Sequence, residues 1–125
     1  MFDNLYCKLY IKTDKSIEQV SNEIGGILDL TWDKYNSFEG DFYTLDIIIN
    51  KEYDIEKSKE FPDGFLYFNY FLDLNCKEEK YEDEYINLIS DLMKKLWGGN
   101  MILVASCDFE ERLPHKGGYK HRINY

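Results

Sequence analysis

At 125 residues, with 44% hydrophobic side chains, the chain has enough apolar material for one packed domain, which excludes a disordered chain and a need for staples. Formal net charge is −9 and unevenly spread: residues 1–111 hold all 24 acids against 11 bases, while residues 112–125 hold four bases and no acid. A body this acidic repels a phosphate backbone, so nucleic acid is not an expected partner and a basic protein is.

The simpler account of the acidity is solubility alone. Three well-separated cysteines do not make a disulfide framework. The opening MFDNLYCKLYI is not a signal peptide, and no apolar run approaches the roughly 18 residues that cross a bilayer. The expectation is a cytoplasmic protein without a membrane segment.

The first element is LYCKLYI (5–11), where Leu5, Cys7, Leu9 and Ile11 alternate with Tyr6, Lys8 and Tyr10, the period of a strand. The period then changes to that of a helix: Ile17, Val20, Ile24 and Leu28 line one face, widened by Ile27. Asp14 or Ser16 can cap this helix, and Ser16 with Gln19 fits a capping box. Residues 31–41 read either as a wide loop or as an irregular extension of the next strand. FYTLDIIIN (42–50) is that strand, with Tyr43, Leu45, Ile47 and Ile49 on one face. A polar connection follows and ends in the turn Pro62-Asp63-Gly64.

GFLYFNYFLDLN (64–75) carries the strongest alternation in the chain and predicts one long strand. Leu66, Phe68, Tyr70, Leu72 and Leu74 face one way, and Phe65, Tyr67, Asn69, Phe71 and Asp73 the other. Residues 76–100 predict the longer helix, with Tyr81, Tyr85, Leu88, Leu92 and Leu96 as its stripe, acids at its start, Lys94 and Lys95 near its end, and Gly98-Gly99 stopping it. NMILVASC (100–107) is a fourth strand. Beyond it lies a polar, basic tail from about residue 112, in which YKHRINY offers a short edge strand and Gly117-Gly118 suggests flexibility.

The order β-α-β-β-α-β predicts a single α+β domain over residues 1–125 of ferredoxin-like type, an antiparallel sheet with both helices on one face. The first and last strands are then neighbours, which puts Cys7 and Cys107 on adjacent strands. The other sheet face is open or covered. If open, it shows Tyr67, Asn69, Phe71 and Asp73, joined by Tyr6, Lys8, Tyr10, Thr44 and Asp46. If covered, residues 31–41, with Trp32, Tyr35 and Phe38, and the C-terminal tail are the cover.

SCDFEERLPHKGGYKHR (106–122) gathers a cysteine, acids and both histidines. A Cys107 nucleophile needs His115 or His121 within reach, with Asp108 or Glu111 to orient it, yet Cys107 merely closes an apolar strand. Cys107, Asp108, His115 and His121 are suitable zinc donors in type, but their spacing matches no chelating pair. Carboxylates are too abundant for their proximity to mean a catalytic pair. No catalytic residue, metal site or cofactor is therefore assigned. Contact is the reading that remains: Asp108, Phe109, Glu110 and Glu111 form an aromatic among carboxylates, and Phe109 anchors this loop either to the core or to a partner. The simpler account is a solvated turn whose acids pair with Arg112, Lys116 and Arg122.

The stretches GDFYTLDIIINKEYD (40–54), DGFLYFNYFLDLN (63–75) and ASCDFEERLP (105–114) resemble small, acidic, uncharacterised bacterial proteins, some thought to be immunity proteins of secreted toxin systems. The resemblance carries over no contact residue. It implies a cytoplasmic protein that masks a basic toxin domain. The expected function is thus noncatalytic protein binding. The alternatives are a small enzyme or ligand-binding domain using the open face or the 106–122 loop, and a structural homodimer.

Overall fold

Alternating apolar residues put β1 (Cys7–Lys12) in the interior of the sheet, between β4 (Tyr70–Cys76) and β5 (Ile102–Cys107). The computed structural model describes residues 3–60 and 63–118. Its other main elements are α1 (Ile17–Leu28), β2 (Ser37–Glu39), β3 (Tyr43–Ile49) and α2 (Glu82–Gly98). The sheet order is β2-β3-β4-β1-β5 with every neighbouring pair antiparallel. Both helices cover one face, so the architecture is α+β and consistent with a ferredoxin-like sandwich, extended at one edge by β2. The ambiguous 31–41 segment resolves into a loop and this three-residue strand.

The helix-side core draws on every principal element. Cys7, Leu9 and Ile11, Leu45 and Ile47, Leu72 and Leu74, and Leu103 and Ala105 meet Val20 and Ile24 of α1 and Tyr85, Ile86, Ile89, Leu92, Met93 and Leu96 of α2. Each large aliphatic chain so buried contributes about 1.5–3 kcal/mol. α1 starts as expected: Ser16 Oγ accepts from Gln19 N, and Gln19 Oε1 accepts from Ser16 N. Trp32 and Phe38 also pack on this core, while Tyr35 is 72% exposed, so these residues do not cover the opposite face.

The long strand expected over residues 64–75 is shorter at its start. Residues Gly64–Tyr67 form a 3-10 turn, and β4 begins at Tyr70. Alternation holds from Tyr70 onward, where Leu72 and Leu74 are buried on the helix side, but not over residues 64–68, because it does not report where the backbone bonds go. Asn50 Nδ2 donates to the carbonyls of Leu66 (3.0 Å) and Phe68 (2.8 Å), and Asp54 N donates to the Tyr67 carbonyl. Those acceptors are therefore lost to a strand ladder. Leu66 is exposed instead of buried under the helices, and Phe68 packs with Phe65, Tyr10 and Val104 on the other sheet face. Part of the face opposite the helices is thus covered, by residues of the 50–68 connection. Pro62 of the expected turn lies outside the described residues.

The segment after β5 is anchored. Phe109 is fully buried, edge-on to Tyr85 at 5.9 Å and 68°, and Leu113 is buried nearby in the same core. Gly117 and Gly118 take φ of +77° and +94°, conformations that suit glycine, and both lie against β5. Ala105 N donates to the Gly117 carbonyl at 2.7 Å. The expected glycine flexibility is therefore corrected: this pair lets the backbone come close enough to bond the outer edge of β5. The edge strand expected in YKHRINY falls at 119–125, outside the described residues.

Candidate partner-binding face

Strand pairing sets five polar residues in one line across the face opposite the helices. Ser37 faces Asp46, Asp46 faces Asp73, Asp73 faces Lys8, and Lys8 faces Ser106. Lys8, Asp46, Asp73 and Ser106 each sit between residues that point into the helix-side core, and Ser37 precedes one, Phe38, so period-two geometry turns all five outward. The next line holds Ile48, Phe71, Tyr10 and Val104. Phe65 stands edge-on to Tyr10 at 5.3 Å, and Tyr10 is buried, so this second line is where the cover begins.

Hydrogen bonds organise the half that no described residue covers. Tyr6 Oη donates to Asp73 Oδ1, and Ser37 Oγ donates to Asp46 Oδ1. Burial first, and then the bond to Asp73, push the Tyr6 phenol well above its usual range, so it remains a donor. The Lys8 ammonium lies 4.1 Å from the Phe71 ring centroid and 5.4 Å from that of Tyr10. This cation–π contact holds Lys8 over the aromatic line. Beside the row, a shallow depression is lined by Asn4, Tyr6, Lys8, Ser106, Cys107, Asp108 and Glu110. The loop after β5 therefore supplies two acids to the edge of the face.

The expected contact residues separate into groups. Phe71, Asp73, Asp108 and Glu110 come together around the uncovered half. Glu111 is exposed in the 3-10 turn Glu110–Arg112. Tyr67 is in the covering segment, where Lys57 Nζ lies 5.2 Å from its ring centroid. Asn69 is a fastener: its Oδ1 accepts from Thr13 N at 3.1 Å and its carbonyl from Asn50 N at 2.9 Å. Phe109, fully buried, fastens its loop to the core and presents no contact surface. Ser37 and Ser106, which complete the row, were not picked out from sequence, because single serines become informative only once strand register is known.

The chemical groups of the 106–122 stretch are dispersed. Cys107 is paired across the strands with Cys7, and the His115 ring stands edge-on to Trp97 at 5.2 Å. Among the described residues no three His, Cys, Asp or Glu side chains are grouped to hold a metal ion; His121 lies outside those residues. Arg112 reaches α2, with nitrogens 3.2 Å from Asp83 and 3.8 Å from Glu82. No helix among the described residues is long and apolar enough to cross a membrane. Comparison with family models, curated proteins and solved structures gives no match.

Proposed function

We propose that this chain is a noncatalytic binding protein of the immunity type, which takes a basic protein domain on the uncovered half of its sheet. The observation that supports this reading is the opposition of Asp46 and Asp73 at the centre of the polar row, with Asp108 and Glu110 at its edge. Two carboxylates held side by side repel each other in the free protein. A cationic partner relieves that repulsion and gains complementary charge, which speeds association and sets register. Phe71 adds apolar contact area beside the acids. The same carboxylates lie on an exposed face, where they suit contact better than proton transfer in an enclosed cleft.

The test is calorimetric titration against a basic protein domain encoded beside this chain, at low and at high salt. Binding should weaken with salt. Asp73→Lys and Asp108→Lys should each lower affinity about tenfold or more, while Asp91→Lys, on α2 at the opposite side of the sheet, leaves it unchanged. Equal affinity for all three variants, each verified as folded by circular dichroism, would overturn the reading.

A further inference from the structure

Cys7 and Cys107 are direct cross-strand partners at the ends of β1 and β5. The kind of pair follows from a neighbouring bond. Ala105 N donates outward to Gly117 and so cannot bond β1, which makes Leu9 and Ala105 a non-hydrogen-bonded pair. The ladder repeats every two residues, so Cys7 and Cys107 are another such pair. Cα atoms in these pairs lie about 4.5 Å apart, inside the roughly 4.4–6.8 Å range that a disulfide spans. Both side chains point to the helix-side core, and both thiols are free.

We propose that Cys7 and Cys107 are a redox pair that closes to a reversible cross-strand disulfide on meeting a low-molecular-weight disulfide. Cys107 is the entry point, because it is only partly buried, whereas Cys7 is fully buried. The Cys107 thiolate, its proton released to solvent, attacks one sulfur of the oxidant, forms a mixed disulfide and expels one thiolate. Cys7 then loses its proton and attacks Cys107 Sγ, which forms the Cys7–Cys107 bond and expels the second thiolate. Two protein thiols lose two electrons in all, and one oxidant disulfide becomes two thiols that take up the two protons.

The second step is the slower one. In the reduced protein the hydrogen bond to Cys107, then burial, hold the Cys7 thiol well above its usual range, and burial with the nearby Glu110 carboxylate still raises it once Cys107 is in the mixed disulfide. Closure therefore accelerates as pH rises. Cys76 is the internal control: it sits on β4, opposite Tyr43, and its Sγ donates to the Glu78 carbonyl at 3.2 Å.

The full chain is incubated with oxidised glutathione at neutral and alkaline pH, remaining thiols are alkylated, and the products are mapped by mass spectrometry. The expected product has lost two hydrogens through a Cys7–Cys107 link. It forms faster at alkaline pH, reverts with dithiothreitol, persists in Cys76→Ser, and is absent in Cys107→Ser. Cys7 still alkylatable at both pH values, or linked to Cys76 instead, would overturn the proposal.

Discussion

Asp46 on β3 and Asp73 on β4 stand directly opposite each other on one sheet face, so the sheet holds two like charges in a position where opposite charges stabilise. Tyr6 and Ser37 each donate a hydrogen bond to one of them, which offsets part of this cost. Asp46→Asn keeps an acceptor for Ser37 and removes one charge. We expect it to stabilise the protein by about 0.2–1 kcal/mol in urea unfolding at neutral pH, with a smaller gain in high salt. A loss of stability would show that the carboxylates are not in conflict.

Phe109, which the sequence leaves as an anchor either to the core or to a partner, is a core residue in the fold. Phe109→Ala removes the ring packed edge-on against Tyr85 and should cost about 3–5 kcal/mol. Glu111→Ala, two residues on and exposed, should change stability by less than about 0.5 kcal/mol. Denaturant midpoints of the two variants decide between anchor and contact.

Gly118 has a φ of +94°, and a Cβ there would meet the Leu103 carbonyl oxygen at 2.1 Å. Gly118→Ala should cost about 1–3 kcal/mol and loosen the segment that bonds β5. The local readout is hydrogen exchange at the Ala105 amide, which donates to Gly117 and should exchange faster in the variant.

The Tyr85 hydroxyl is buried and has no hydrogen-bond partner among the described residues. Burial is also the main reason its phenol is pushed far above the usual range. Removing an unsatisfied buried group while keeping the ring should help, so Tyr85→Phe is expected to raise stability by about 1 kcal/mol. An equal or lower urea midpoint would mean that the hydroxyl is satisfied in solution.

Alkaline pH should destabilise the fold. Cys7, Cys76 and the phenols of Tyr6, Tyr43 and Tyr85 are all raised in the folded protein. Each keeps its proton in the folded state at pH values where the unfolded chain has lost it. Stability is therefore full below the unfolded values, about 8.5 for a thiol and about 10 for a phenol, and falls as pH rises through them. Urea midpoints measured upward from neutrality should begin to drop near the thiol value. Cys7→Ala should blunt that first decline, and a midpoint that rose with pH would contradict the sign.

Both helices and the edges of most strands were legible because their signals are local. Ser16 and Gln19 close a capping box within one turn, and the spacing of Val20 and Ile24 follows from helix geometry alone. Two errors share one cause. The run from Gly64 alternates like a strand, yet Asn50, distant in sequence, takes the backbone carbonyls that would have bonded a neighbour. Gly117-Gly118 looks flexible until β5 is found beside it, bonded through Ala105.

Sequence alone determined the α+β class, the order of the two helices and four longer strands, the acidic body and the adjacency of the strands bearing Cys7 and Cys107, since these follow from periodicity, composition and topology. Only the tertiary structure decided that Asp46 opposes Asp73, that Cys7 opposes Cys107, that Phe109 turns inward, and that Phe65 and Phe68 cover part of the sheet. Those facts depend on strand register and on side-chain hydrogen bonds between distant residues, and neither leaves a periodic trace in the chain.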